Sequence, residues 1–462
     1  MPFTLNEIMQ ATQGSLIQGR AGIRIKSIAI DSRRVKKGGL FIAIKGKRLD
    51  GHQFIPQALK KGAGALIVSD KLNFPPTVAV LRVGDTTRAL GKIAQFYRQR
   101  FDIPVIAVTG SSGKTTAKEF IAAILQAKYK VLKNFKTENN QIGVPLTLLK
   151  LRPSHEVVVL EFGTNRPGDI EWLAQITKPT AALFTNIGES HLEHLKSPQG
   201  VYREKLKLIN YLHPKGTIIF NNDDNTLRRI HDLKVPQRKL SYSVTSRSSY
   251  QAQRVGEDKR GNIEFKLSRT SFLFKVFPRH NVYNALGAVC CARLLDVSWA
   301  DIERRLRRIK NLGQRFTLKK IGRVTLIDDT YNSNPLSLRS AVETLDSLKT
   351  EGKKILVCAD MLELGKDSRI LHRQIGRDIG KTSIKALMTF GPEAKYFGVG
   401  FRDVRKKSFL RHYTKLDLLN RELHKMLQPQ DVVLIKGSRG MKMERVVEYL
   451  VSSPRRNSGG TL

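Results

Sequence analysis

The stretch Val105-Ile-Ala-Val-Thr-Gly-Ser-Ser-Gly-Lys-Thr-Thr116 decides the fold. Four apolar residues with no polar alternation read as a short strand buried on both faces. A glycine-punctuated turn follows, and Lys114-Thr115 open a segment that reads as helical through Gln126. A helix entered from such a turn aims several backbone N–H groups at one spot, which suits a phosphate. Gly110, Ser111, Ser112, Gly113 and Thr116 then form the cradle, Lys114 reaches the outer phosphates, and the Thr115 hydroxyl can ligate Mg2+. Strand, turn, Lys-Thr and helix arrive in the required order, which an ordinary Gly/Ser turn would not demand. The strict phosphate-loop spacing is broken, because Val108 stands where its first glycine belongs.

Outward from this stretch, 462 residues are too many for one hydrophobic core and imply about three domains. Recurrent strand-then-helix patterning makes the chain α/β. No apolar run approaches the ~20 residues that span a bilayer. The N-terminus, Met1-Pro-Phe-Thr-Leu-Asn-Glu-Ile, has neither the basic start nor the apolar block of a signal peptide. Cys290, Cys291 and Cys358 make no disulfide framework and no metal-ligand spacing, so a reducing cytoplasm is expected. Lys and Arg number 81 against 40 acidic residues, a net charge of +41 that attracts polyanions in general. Aromatics are only 7% and no basic run is interleaved with them, so no stacking platform for specific nucleic acid is expected. The charge equally suits a multiply anionic substrate.

Residues 1–84 read as a small α/β unit with strands at Ser27–Ile30, Leu40–Ile44, Ala65–Val68 and Thr77–Leu81. An amphipathic helix begins near Asp85 and leads into the strand before the phosphate loop. Over 85–312, strands Val157–Glu161, Ala181–Asn186 and Thr217–Asn221 alternate with helices, predicting a mostly parallel sheet covered on both sides. Gly261–Phe277 alternates like a peripheral hairpin, and Asn281–Leu295 reads as a helix. Residues 313–452 repeat the rhythm with strands Val324–Asp328, Lys354–Cys358, Ala386–Phe390 and Asp431–Ile435. Their helices are expected at Pro335, Arg369 and Met441. Residues 453–462 read as a disordered tail. Ligands of open sheets lie at the carboxyl ends of strands, where Asp329, Asp360 and Lys436 fall. In the central unit Glu161 closes its strand, where a carboxylate could share the Mg2+ of Thr115. His191 directly follows another strand.

Several motifs resemble those of the Mur ligase family: Thr109–Thr116, Asn140-Gln-Ile-Gly-Val-Pro-Leu-Thr-Leu-Leu149, Glu161-Phe-Gly-Thr-Asn-Arg-Pro-Gly-Asp-Ile170 and Thr185–Glu193. Asp328-Asp-Thr-Tyr-Asn-Ser-Asn-Pro335, Asp360-Met-Leu-Glu-Leu-Gly365 and Lys436-Gly-Ser-Arg-Gly-Met-Lys-Met443 resemble the branch that joins D-alanyl-D-alanine to UDP-N-acetylmuramoyl-tripeptide. Asp31-Ser-Arg-Arg-Val35 and Leu40–Lys47 agree with that branch. The resemblance implies three domains: a UDP-sugar-binding N-terminal one, a central ATPase and a Rossmann-like C-terminal one. It implies ATP-driven amide formation through an acyl phosphate by a monomeric enzyme.

By this resemblance Thr115 and Glu161 hold Mg2+, and His191 helps hold a second ion with Lys205, the family lysine that becomes carbamylated. Lys114, His191 and Lys205 are the catalytic set. Asn284, in His280-Asn-Val-Tyr-Asn284, contacts the nucleotide, and Arg315, Asp329 and Asn334 close over it. Asn334, before Pro335, is independently a good helix N-cap. Lys436, Ser438 and Arg439 are placed to receive the dipeptide, Asn140 the muramyl peptide, and Ser32, Arg33 and Lys45 the UDP-sugar end. Three departures stand out: Lys136-Thr137-Glu138 before the Asn pair, Pro278 before Arg279, Ala359 before Asp360. Relatives also often carry an acidic residue where Lys207 stands. A sibling ligase adding a single amino acid, and a basic nucleic-acid-binding protein on the same scaffold, are the alternatives. The sibling that adds the third residue carries an Asp-Asn-Pro-Arg type motif, which this chain lacks.

Overall fold

The computed structural model describes residues 3–46, 49–70, 73–257, 262–274, 280–309 and 313–453. The tail beyond 453, Pro278 and Arg279 lie outside the described residues. Three α/β units each carry their own sheet.

The central sheet has seven strands, all parallel, in the order 250–251, 238–243, 217–221, 181–184, 105–109, 157–161, 131–133. The interior strand Val105–Thr109 is buried at every position, which explains the unbroken apolar run. Val105 and Ala107 face one core, shared with the helix Thr86–Arg98. Ile106 and Val108 face the other, shared with the helices Lys114–Leu125 and Asn281–Leu294. Each of the Val and Ile side chains among them contributes roughly 1.5–3 kcal/mol on leaving water, so a one-residue slip would cost both faces at once. The register pairs Val108 with Glu161 and Thr109 with Phe184, so three strands end level and their tops share one rim.

The first unit has a five-stranded sheet in the order 15–18, 79–82, 63–68, 39–42, 28–29, antiparallel only at 15–18. The third has six strands in the order 317–321, 324–329, 432–436, 354–359, 386–390, 409–413, antiparallel only at the first pair. The peripheral hairpin is the last pair of a three-stranded antiparallel sheet, Gln253–Glu257, Ile263–Leu267 and Thr270–Phe274.

The final helix begins at Glu444 rather than at Met441. A 3-10 turn over Arg439–Met441 comes first, and Lys442 adopts a left-handed φ of 52° that interrupts the helix. All three cysteines are buried free thiols. Among the described residues no helix is long and apolar enough to cross a membrane.

Candidate active site

A cavity of about 1000 Å³ opens where the three units meet, its wall running from Lys45 through the phosphate loop to Lys436. Of the residues singled out from sequence, Ser111, Ser112, Gly113, Lys114, Thr115, Thr116, Asn140, Glu161 and His191 line it. So do Asn284, Arg315, Asp329, Asn334, Ser438 and Arg439. Gly110 lies behind the loop, and Lys205 beneath the wall with 1% of its surface exposed. Ser32 and Arg33 stand elsewhere. The Ser32 hydroxyl donates to Gln57 Oε1 at 2.5 Å, and Arg33 pairs with Asp31 at 2.8 Å at the surface.

The loop is built by two glycines. Gly113 has φ +79°, and a Cβ there would lie 2.5 Å from Asn284 Oδ1. A Cβ on Gly110 would lie 1.9 Å from Thr185 Oγ1. Gly113 ends the loop without a side-chain cap, so the first-turn amides of the helix Lys114–Leu125 stay free for a ligand. Gly113→Ala is expected to cost about 1–3 kcal/mol from the left-handed backbone alone and to weaken nucleotide binding. Urea unfolding and ADP calorimetry check both.

At the rim, Thr115 Oγ1 donates to Glu161 Oε2 at 2.6 Å, and Asn139 Nδ2 donates to Glu161 Oε1 at 2.7 Å. Arg315, from the third unit, donates to Thr115 Oγ1 at 2.9 Å and stacks over Tyr331 at 4.0 Å. Thr115 and Glu161, both buried, thus present two converging oxygens at the cavity wall, the donor type a hard divalent cation selects. Lys114 Nζ rests on the Gly110 carbonyl at 2.8 Å. Desolvation lowers its pKa, Glu161 raises it and Arg315 lowers it.

His191 holds a left-handed φ of 54° and its Nδ1 lies 2.5 Å from Glu363 Oε2 of the third unit. Burial lowers its pKa below the ordinary 6.5 against the pull of Glu363, with Lys114 and Lys205 adding to the lowering. The neutral ring with Nδ1 engaged leaves Nε2 as the available ligand atom.

Lys205 is buried on the helix Pro198–Leu206, and its ammonium has no hydrogen-bond or ion-pair partner among the described residues. Burial pushes its pKa well below 10.5, Lys114 adds to this, and Glu204 and Glu161 oppose it. A neutral buried amine is the form that adds CO2 to give a carbamate. Lys207 faces outward, 3.1 Å from Glu204 and 3.5 Å from Glu171. Glu204 is itself occupied, accepting the Gly168 and Ile170 amides at 3.0 Å each. Burial therefore separates the two lysines.

From the third unit Asn334 does two things. Its Oδ1 caps the helix Pro335–Ser347 through Ser337 N at 2.8 Å, while its Nδ2 donates to the Ser111 carbonyl at 3.2 Å. Lys436 donates to Asp329 at 2.6 Å across neighbouring parallel strands and to the Asn332 carbonyl at 2.9 Å. Burial raises the Asp329 pKa while Lys436 and then Arg315 lower it, and the net shift is upward. Ser438 donates to the Ser333 carbonyl at 3.0 Å, and Arg439 reaches Gln314 at 3.4 Å. Asn140 Oδ1 is spent on the Ile142 and Gly143 amides at the start of a short helix.

Sequence reading did not select Asn139, Tyr331 or Glu363, although each sits inside or beside a quoted motif. Nothing in local periodicity marks them, because their partners come from distant elements. Among the described residues one other cluster, Asp50, His52 and Asp70, gathers possible ligand atoms. Both its ring nitrogens are used, by Asp50 at 2.6 Å and by the Ser69 amide at 3.0 Å.

Family models match the chain in order. The Mur ligase family catalytic domain matches 24–98, the Mur ligase middle domain 108–292, and the Mur ligase glutamate ligase domain 314–439. The chain is 34% identical over 455 residues to the UDP-N-acetylmuramoyl-tripeptide–D-alanyl-D-alanine ligase of Bacillus subtilis, covering 98% of this chain and 99% of that one. A crystal structure of MurF from Acinetobacter baumannii superposes with a TM-score of 0.90 at 30% identity, over 98% and 99% of the two chains. The MurF ligase of Thermotoga maritima in complex with ADP superposes with a TM-score of 0.81 at 28% identity, over 92% and 97%. With three family models matched in order and a relative at 34% identity end to end, the chain belongs to the Mur ligase family.

Proposed function

We propose that this chain joins D-alanyl-D-alanine to UDP-N-acetylmuramoyl-tripeptide at the expense of ATP, forming the pentapeptide precursor of peptidoglycan. One observation carries the reading. A single cavity brings a phosphate loop, a buried carboxylate and the carboxyl ends of the third sheet together, in a chain that matches such ligases over its whole length. The domains are taken as 1–84, 85–312 and 313–452, a reading supported by the separate main sheet that each range contains. The reading takes the enzyme as a monomer working in the cytoplasm, where ATP and the UDP-linked precursor are available.

A carboxylate is a poor acylating group at neutral pH, so phosphate must first be installed on it. The dipeptide amine then attacks and phosphate leaves as the amide forms. Catalysis is mainly alignment and neutralisation of crowded negative charge. The loop amides and Lys114 bind the phosphates, and Arg315 and Asn334 hold the third unit against the loop. Thr115 and Glu161 would hold one Mg2+, with His191 and a carbamylated Lys205 serving a second, and the metal there supplies charge neutralisation at the phosphoryl oxygens. Lys436, Ser438 and Arg439 form the wall the dipeptide meets. Asn140 and Lys45 lie on the side left for the muramyl peptide and its UDP end. Ser32 and Arg33, outside the cavity, enter only through the family resemblance. Enclosure between units keeps water from the acyl phosphate.

Purified protein with ATP, Mg2+ and UDP-N-acetylmuramoyl-tripeptide is expected to release phosphate on addition of D-alanyl-D-alanine. The product gains the dipeptide mass less one water. Phosphate release prompted only by a single amino acid, on a shorter UDP-peptide, would overturn this in favour of a sibling ligase.

A further inference from the structure

Lys118 is fully buried, with 0% of its surface exposed, on the helix that leaves the phosphate loop. A lone buried ammonium would cost several kcal/mol, yet here every contact is made. Its Nζ donates to the Asn134 carbonyl at 2.8 Å and the Lys136 carbonyl at 2.8 Å, and lies 3.0 Å from Glu119 Oε1. Those two carbonyls belong to the loop that runs between the strand Val131–Lys133 and Asn140. Lys136 holds a left-handed φ of 46° there, and Glu138 N donates back to the Phe135 carbonyl at 3.0 Å, so the loop is a tight turn whose first half closes over the Lys118 ammonium.

The same loop grips the end of the strand that bears Glu161. Asn134 Oδ1 accepts the Glu161 amide at 2.9 Å, and its Nδ2 donates to the Glu138 carbonyl at 3.0 Å. Asn139 donates to the Glu161 carboxylate at 2.7 Å, and its carbonyl accepts the Gly163 amide at 2.8 Å. The chain of contacts thus runs from Lys118 through the loop to both the backbone and the carboxylate of Glu161. Thr115 lies one turn before Lys118 on the same helix, so a single rigid element carries one oxygen of the pair and sets the other.

We propose that Lys118 is a positioning residue: by clamping the 134–139 loop it holds Glu161 and Asn139 where the Thr115–Glu161 pair can take a divalent cation. This rests on the reading of that pair as the Mg2+ ligands. Glu119 balances the charge and pairs with Lys133 at the end of the preceding strand, but makes no hydrogen bond or ion pair with residues 134–139 themselves.

The test is ADP binding by calorimetry with and without Mg2+, which needs no turnover. In the wild type Mg2+ is expected to tighten ADP. In Lys118→Met that enhancement is expected to fall roughly 10-fold or more, the usual consequence of losing an outer-shell partner of a metal ligand. Affinity for ADP without Mg2+ should change far less. Glu119→Gln should keep the enhancement although it too disturbs a buried ion pair, which separates positioning from mere loss of stability. The double variant Lys118→Met/Glu119→Gln strands no buried charge, since Lys133 is partly exposed to solvent, and serves if the single variant does not fold. Wild-type enhancement in Lys118→Met or the double variant overturns the role of Lys118 alone. A wild type whose ADP affinity ignores Mg2+ overturns the metal reading and this inference with it.

Discussion

Lys114→Met is expected to lower turnover by roughly a thousand-fold or more, as removing one preorganised charge from a phosphoryl-transfer site does. Stability should barely change. The Lys114 ammonium makes one hydrogen bond, to the Gly110 carbonyl, worth about 1 kcal/mol net. Desolvation already works against its charge, and Arg315 adds repulsion. The loop itself is shaped by Gly110, Gly113 and the contacts of Asn186 with Ser111 and Ser112 at 2.9 and 2.8 Å, none of which involve Lys114. Steady-state phosphate release and urea unfolding measure the two halves of the prediction. A variant that keeps turnover within tenfold of wild type would remove Lys114 from the chemistry.

Lys205→Met should move activity and stability in opposite directions. The buried amine has no partner and lies near a second cation, so its charge is a cost the fold bears. Methionine fills similar space without that cost, and a gain on the order of 2 kcal/mol in CO2-free buffer is expected. Turnover should fall at least a hundred-fold if the carbamate orients a metal ion. The pH dependence gives a separate check. Because the folded pKa lies well below 10.5, the unfolded chain carries the extra proton between those two values. Wild-type stability against Lys205→Met therefore rises with pH through that window and levels off near 10.5. Thermal melts of both proteins at several pH values measure it. A carbonyl carbon from 13C-labelled bicarbonate, present in wild type and absent in the variant, would identify the carbamate. Equal stability of the two proteins across the window would mean the buried amine is compensated after all.

Much of the site was legible because its chemistry is local. Val105–Thr116 announces itself through an apolar run, two glycines and a Lys-Thr pair, and each property acts within a few residues. Glu161 and the strand Val157–Glu161 were equally clear, as was the capping role of Asn334 before Pro335. Regular strands buried on both faces were placed closely, whereas the edge strands 131–133, 250–251 and 409–413, and 238–243 next to one of them, were not among those expected. Edge strands carry mixed polarity, so no single period marks them. The late start of the last helix depended on the conformation of one residue, Lys442, which composition does not reveal.

The sequence by itself determined the order of three α/β units, the phosphate-loop turn and the polar groups at the strand tops, since propensity, period and turn chemistry are properties of neighbours along the chain. Tertiary structure alone decided that Lys205 is buried while Lys207 faces Glu171 and Glu204, that Ser32 and Arg33 stand outside the cavity, and that Glu363 reaches His191 across 172 positions. Burial and long-range hydrogen bonding depend on which surfaces the packed sheets bring into contact, and no local pattern encodes that.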